Sequence, residues 1–247
     1  MILSYRLGYS CACILRDAIE EVTGKRLKVT CHPERILKLY IRYGNSDSVS
    51  CNDTEYNSPD FIRIAAHKLR FSQLLQPHGF DVPIFKQDIP TNDDFPLLIR
   101  QTMTGFSAAG IVVCRNMDDF ISNWNPRHYW TKFVYTSREY RVQVLGNKVG
   151  RLFRKECRNS VEDDLPVRNS YAGYHYSLRT DLGKFDGLIE LVNRVSEFLP
   201  GKFYGLDVGW RPDTRNYFLF EANSGYGVNI NSALALANYL NEEEVFN

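Results

Sequence analysis

Two strand-like segments near the carboxyl end of the chain constrain its fold more than any other feature. Residues 205–209 (Gly-Leu-Asp-Val-Gly) and 218–223 (Phe-Leu-Phe-Glu-Ala-Asn) flank a turn-forming segment at 212–216. A hairpin whose turn is centred on Thr214 pairs Asp207 with Glu221, and Asn223 shares their face because side chains alternate along a strand. The sequence therefore predicts two carboxylates and one amide on one face of an otherwise apolar hairpin.

Two facing carboxylates repel each other, so this pair needs a compensating positive charge. Oxygen donors of this kind suit Mg²⁺, which takes one or two carboxylates and completes its shell with phosphate oxygens and water. The alternative is a solvated strand face that carries ordinary surface acids. A slip of one residue in the register would separate the two acids, so the hairpin alone leaves both interpretations open.

The remaining patterns of apolar residues predict an α+β (mixed α/β) fold with antiparallel hairpins. The predicted strands cover 2–6, 37–43, 95–100, 111–114, 129–135, 140–145, 149–153, 203–210 and 217–222. The predicted helices lie around 11–22, 61–69, 117–124, 185–198 and 230–240. Residues 51–59 and 157–170 are interpreted as polar loops, and the segment 157–181 as either an acceptor-binding element or a mobile loop.

Charge and composition exclude several classes of protein. With 30 Lys and Arg against 29 Asp and Glu, the net charge of +1 argues against a nucleic-acid binder that works by bulk charge. The longest apolar stretch, near 105–114, is far shorter than the roughly 20 residues of a membrane helix. Residues 1–6 lack the pattern of a secretory signal, and the six cysteines show no metal-binding spacing. We expect a cytoplasmic protein with no nucleic-acid or membrane partner.

The terminal segment 221–227 (Glu-Ala-Asn-Ser-Gly-Tyr-Gly), preceded by Asp207, resembles the last motif of the ATP-grasp superfamily. Other segments match in the expected order, namely 96–100 followed by the small-residue loop 104–110, then 129–135, and 139–142 together with Lys155. The chain is similar to the short carboxylate–amine ligase members that occur in phage genomes. The resemblance implies an ATP-grasp fold with a small N-terminal βαβ-type domain at 1–82, a lid subdomain at 83–134 and a C-terminal subdomain with the metal site at 135–247.

The resemblance also implies roles for individual residues. The predicted metal ligands are Asp207, Glu221 and Asn223. The predicted nucleotide-binding residues are Arg100, Thr104, Gly105, Ser107, Gly110, Lys132, Phe133, Val134 and Glu139. The predicted catalytic cations are Arg141, Lys155 and Arg168.

The match to the ATP-grasp motifs is incomplete at two places in the sequence. A two-residue turn at Gly146–Asn147 would place Arg154 on the face of Arg141, whereas a three-residue turn would place Lys155 there. The family alignment favours Lys155. Tyr226 stands where relatives often have proline, in the loop that usually meets the acyl phosphate.

The activity implied is an ATP-dependent, ADP-forming ligation that requires Mg²⁺. A substrate carboxylate would become an acyl phosphate, and an amine would then displace the phosphate. The substrates would be a small-molecule or peptide carboxylate and an amine. Other functions stay open because one fold hosts many of them. They are a kinase that transfers phosphate to a hydroxyl, a thiol ligation, and a nucleotide-binding module without catalysis. The sequence does not indicate the oligomeric state.

Overall fold

The computed structural model of the chain describes residues 1–6, 9–32, 39–46, 54–104, 110–157, 168 and 173–246. These residues form three sheets, which follow one another along the chain and which helices cover. The predicted mixed α/β class is confirmed. No helix in the described ranges combines the length and the apolar character that crossing a membrane requires.

The first sheet is parallel and belongs to the amino-terminal part of the chain. Its elements are β1 (Ile2–Tyr5), α1 (Tyr9–Thr23), β2 (Lys28–Thr30), β3 (Leu39–Tyr43) and β4 (Thr54–Tyr56). The strand order is β2-β1-β3-β4, and β1, α1 and β2 form a βαβ unit. Two helices follow, α2 (Pro59–Ala65) and α3 (Lys68–Leu75).

The second sheet is small and antiparallel. It contains β5 (Leu97–Arg100), β6 (Ile111–Cys114) and β7 (Tyr129–Lys132), in the order β6-β5-β7. Helix α4 (Met117–Asn123) connects β6 to β7, and its Phe120 packs with Trp130 and Ile99 in a small core of its own. Arg100 therefore lies at the end of the central strand.

The third sheet is antiparallel and carries most of the predicted site. Its strands are β8 (Arg138–Leu145), β9 (Lys148–Cys157), β10 (Tyr174–Arg179), β11 (Phe203–Arg211) and β12 (Asn216–Asn223), in the order β10-β9-β8-β11-β12. Helix α5 (Asp186–Phe198) precedes β11, and α6 (Ile230–Glu242) follows β12.

Alternation along the strands of the third sheet separates its core face from its polar face. On β8, Val142 and Val144 are fully buried in a core that also contains Val192 and Val195 of α5. The alternate residues of the same strand, Glu139, Arg141 and Gln143, point to the opposite face. Burial of apolar surface contributes roughly 25 cal/mol per Å², so the core face determines the register, and the register places the polar face.

Several local predictions need correction. Residues 54–56 lie in a predicted loop but form edge strand β4, which pairs with β3. The predicted helix at 61–69 is two helices, because α2 ends at its C-cap Ala66 and His67 caps the start of α3. Residues 174–179, for which the sequence analysis predicts no strand, form β10, and β2 likewise has no predicted counterpart. Short strands such as these depend on pairing with their neighbours rather than on a strong local pattern.

Candidate functional site

The acidic hairpin has the predicted register at the site. Asp207 of β11 faces Glu221 of β12, and Asn223 faces Gly205 on the same side of the sheet. The Asn223 Nδ2 atom lies 3.5 Å from Asp207 Oδ2 and 3.3 Å from Glu221 Oε1. The two carboxylates and the amide therefore converge, as the sequence predicts.

A β-bulge produces this register. Beyond the site, Val208 faces Leu219 and Arg211 faces Asn216, so the turn centre lies half a residue before the predicted Thr214. Continued without interruption, that register would place Phe220 opposite Asp207. The shift between Asp207 and Val208 inserts one extra residue into β12 and restores the pairing with Glu221. The predicted pairing is confirmed, whereas the regular hairpin from which it was predicted is wrong.

Each of the two acids is paired with a basic side chain. Arg141 donates from Nε to Asp207 Oδ1 at 2.7 Å and from Nη2 to Oδ2 at 2.6 Å, a bidentate pair. The Lys68 Nζ atom at the start of α3 lies 2.8 Å from Glu221 Oε2. All four side chains are at most 23% exposed.

The protonation of Asp207 follows from these contacts. Burial raises the pKa of its carboxyl, but the charge and hydrogen bonds of Arg141 outweigh burial and hold the pKa below its ordinary value. The carboxylate in turn raises the pKa of Arg141, against the effect of burial. The pair is therefore ionised on both sides at neutral pH.

A second group of charges lies on β8 and β9. The Lys155 Nζ atom donates to Glu139 Oε2 at 2.7 Å and to the backbone oxygen of Arg168 at 2.8 Å. The Arg168 Nη1 atom lies 3.6 Å from Glu139 Oε1, and its side chain is 7% exposed. The structure thus brings together three predicted residues, one from the nucleotide-binding set and two from the catalytic set.

The choice between Arg154 and Lys155 is decided by a second bulge. The turn at Gly146–Asn147 is tight, since Leu145 faces Lys148, but the register shifts between Gln143 and Val144. Gly150 supplies the extra residue, and a Cβ atom there would lie 2.5 Å from Leu145 Cδ1. After the shift Lys155 faces Glu139 and shares the face of Arg141.

A pocket lies between the second and third sheets. Its lining residues are Pro83, Leu98, Arg100, Thr131, Lys132, Phe133, Val134, Tyr135, Thr136, Glu139, Arg168, Phe218 and Phe220. Six of them are predicted site residues: Arg100, Lys132, Phe133, Val134, Glu139 and Arg168. The buried Arg100 Nε atom has no hydrogen-bond partner among the described residues. Burial lowers the pKa of Arg100, and the charge of Glu221 raises it, which links the pocket to the acidic hairpin.

The predicted phosphate-covering loop is described only at its ends. Gly105 and Ser107 lie outside the described residues. Thr104 is exposed, and Gly110 has a φ of +71°, which favours glycine. Neither of these two lines the pocket.

Two side chains that lie at the site are not among the residues predicted from the sequence. Lys68 reaches Glu221 from a different helix, and nothing in its local sequence signals that contact. Tyr176 of β10 lies over Arg141, with 4.7 Å between the ring centroid and Cζ. The alternation of Tyr174, Tyr176 and Leu178 is a strand pattern that identifies their shared face.

Tyr226, the departure from the family pattern, is buried in the structure. Its hydroxyl accepts a 2.9 Å hydrogen bond from Gln143 Nε2, two residues along β8 from Arg141. The neighbouring Gly225 approaches Gly44 at the end of β3, where a Cβ atom on Gly225 would lie 3.2 Å from the Gly44 Cα. The loop after β12 thus approaches the first sheet through backbone, a close contact that favours glycine.

No protein-family model and no curated protein matches the sequence. The structure matches the ATP-grasp ligase PsnB, solved in complex with a minimal precursor, with a TM-score of 0.70, 11% identity and coverage of 98% of both chains. The chain has the ATP-grasp fold.

Two further structures share this ATP-grasp fold. D-alanine–D-alanine ligase from Bacillus anthracis matches with a TM-score of 0.66 and 14% identity, over 98% of this chain and 96% of that one. An ATP-grasp RimK domain protein from Sphaerobacter thermophilus matches with a TM-score of 0.64 and 12% identity, over 97% and 99%. The ATP-grasp fold implied by the terminal motif is confirmed.

Proposed function

We propose that this chain is an ATP-dependent, ADP-forming ligase that joins a carboxylate to an amine through an acyl phosphate, with Mg²⁺ as its metal. The observation that carries the proposal is the convergence of Asp207, Glu221 and Asn223 beside a pocket lined by basic and acidic side chains. ATP-grasp ligases of known structure support it, since PsnB has been solved with Mg and ADP. We also propose the division into domains at 1–82, 83–134 and 135–247.

The donor set fits Mg²⁺. The described residues contain no cluster of three or more His, Cys, Asp or Glu side chains, so an all-protein cage is not formed there. Two carboxylates and one amide suit a Mg²⁺ ion that takes its remaining ligands from phosphate oxygens and water. When bound, the metal would neutralise phosphate charge and orient the nucleotide. Arg141 and Lys68 now hold the two acids, so they would have to yield carboxylate oxygens to it.

The pocket suits the nucleoside. The backbone of residues 132–134 would meet the adenine edge, and Glu139 would accept hydrogen bonds from the ribose hydroxyls. Arg100 has a buried Nε donor that no described residue accepts, and such donors are rarely left unsatisfied. A phosphate oxygen would satisfy it. Thr104, Gly105, Ser107 and Gly110 are proposed to cover the phosphates through backbone amides.

The basic side chains of the site would stabilise the negative charge that develops during phosphate transfer and amine attack. Arg141, Lys155 and Arg168 lie on one side of the site, where they would stabilise negative charge on the transferring phosphate and on the tetrahedral intermediate. They are held in place beforehand, because Asp207 and Glu139 already orient them. This reaction needs no protein nucleophile, because the carboxylate substrate attacks directly.

The experiment that tests the proposal is ADP formation from ATP and Mg²⁺ with mixtures of carboxylates and amines, including peptides. A ligase sustains ADP formation over repeated turnovers only when a carboxylate and an amine are both present, because the amine discharges the acyl phosphate that the carboxylate forms with ATP. ADP formation with hydroxyl compounds alone would instead identify a kinase. Tight nucleotide binding without turnover under every mixture would identify a binding module and would contradict the proposal.

A further inference from the structure

Tyr176 lies beside the centre of the proposed site. Its ring centroid is 4.7 Å from Arg141 Cζ and 5.9 Å from Lys155 Nζ. Tyr176 faces Lys155 in the β9–β10 pair, so its ring extends over the polar face of the third sheet. Tyr176 as a whole is 40% exposed, so it contacts the two cations while part of its surface stays open to solvent. Both distances are within the range of cation–π attraction.

Arg141 is held in two independent directions. Asp207 accepts two hydrogen bonds from its guanidinium nitrogens, and the guanidinium carbon Cζ lies over the ring of Tyr176. A metal on Asp207 would compete with Arg141 for the same two carboxylate oxygens. It would not compete for the contact with Tyr176, because an aromatic ring attracts the positive charge of Arg141 and offers the metal no oxygen ligand through that face. The contact with Tyr176 would therefore remain if a metal on Asp207 weakened the pair with Arg141.

We propose that Tyr176 is a positioning residue that keeps the Arg141 guanidinium aimed at the terminal phosphate when the metal engages Asp207. The inference rests on the proposed function, since it needs a nucleotide in the pocket. The ring carries this role rather than the hydroxyl. Burial and the nearby carboxylates raise the pKa of Tyr176, so its hydroxyl stays neutral and does not pair with Arg141 as a charge.

The test is calorimetric titration of the full chain with Mg²⁺ and the non-hydrolysable analogue AMPPNP. Tyr176→Leu should weaken AMPPNP binding by about 3- to 30-fold, the range of a cation–π contact. Tyr176→Phe should stay within about twofold of the wild type because it retains the ring face. Leu178→Ala is the matched control, since Leu178 is on the same strand and face, is equally exposed and faces Phe153 instead of Lys155.

Two further measurements separate positioning from a merely structural role. AMP lacks the terminal phosphate, so Tyr176→Leu should leave its dissociation constant unchanged. In an Arg141→Lys background, Tyr176→Leu should weaken AMPPNP binding by a smaller factor than it does in the wild type, because a lysine ammonium does not stack on an aromatic ring as the planar guanidinium of arginine does.

The outcomes distinguish this inference from the proposed function. Equal AMPPNP affinity in the wild type and in Tyr176→Leu overturns the role of Tyr176 and leaves nucleotide binding intact. Loss of AMP binding together with a lowered melting temperature shows a structural role and also overturns it. A wild-type chain that does not bind AMPPNP overturns both proposals.

Discussion

Replacing Asp207 with asparagine should destabilise the chain substantially. The substitution leaves the Arg141 guanidinium in place but removes the negative charge that it contacts through two short hydrogen bonds. The Asp207 and Arg141 side chains are 13% and 21% exposed, so water replaces the lost partner poorly.

The magnitude follows from this burial. Breaking a buried ion pair by removing one partner costs about 3–5 kcal/mol, whereas exposed pairs contribute about 0–1 kcal/mol. The cation–π contact between Arg141 and the Tyr176 ring remains in the variant and continues to stabilise the charge of Arg141 in part. We therefore expect a loss of about 3 kcal/mol in the free energy of unfolding.

The assay is urea unfolding followed by circular dichroism. At a slope of about 3 kcal/mol per M, a loss of that size lowers the urea midpoint by about 1 M. Asp213→Asn is the matched control, because Asp213 also pairs with an arginine but is 62% exposed. Its midpoint should change by less than about 0.3 M.

The double variant Asp207→Asn with Arg141→Gln removes both charges and should recover part of the loss. Equal midpoints for Asp207→Asn and Asp213→Asn would refute the reasoning, because the Arg141–Asp207 pair would then contribute no more than a surface pair.

Three further outcomes follow from the same contacts. Asp207 has a lowered pKa in the folded chain, so its stabilising effect is present above about pH 4 and is lost as the pH falls through its pKa in the folded state. The free energy of unfolding of the wild type should therefore fall more between pH 7 and pH 3 than that of Asp207→Asn, as measured by urea midpoints. Arg100→Ala should weaken nucleotide binding by about 1–3 kcal/mol in a calorimetric titration, the contribution of a hydrogen bond to a charged group, and an unchanged affinity would contradict its placement. Gly150→Ala should lower the free energy of unfolding by about 1–3 kcal/mol, because its Cβ would overlap Leu145. Gly183→Ala, whose Cβ would have no atom within 4 Å, should lower it far less. Equal melting temperatures for the two variants would show that the bulge at Gly150 tolerates a side chain.

The sequence predicts the acidic hairpin because the signal there is local. Asp207, Glu221 and Asn223 lie within 17 residues of one another, between apolar neighbours that determine which face is buried. The sequence does not predict the bulge next to Asp207, because a bulge is one inserted residue that depends on pairing along the whole strand. Without that bulge, the turn in the structure would place Phe220 opposite Asp207.

The second hairpin shows the same limit. From the sequence, an unknown turn length decides between Arg154 and Lys155, and only the family resemblance favours Lys155. The turn in the structure is the two-residue one, which by itself would place Arg154 on the face of Arg141. The bulge at Gly150, a position with little room for a Cβ atom, shifts the register by one residue and places Lys155 there instead. Lys68 is a different case, because its contact with Glu221 joins residues 153 positions apart and depends on how α3 packs near β12. Contacts of this kind leave no local pattern.

The most direct test of the central claim is calorimetric titration with AMPPNP, in Mg²⁺ and in EDTA, for the wild type and for Glu221→Gln. The account predicts that Mg²⁺ tightens binding to the wild type, and that Glu221→Gln loses this gain while its circular dichroism spectrum and its affinity in EDTA stay the same. An equal gain from Mg²⁺ in both proteins would contradict the assignment of Asp207, Glu221 and Asn223 as the metal site.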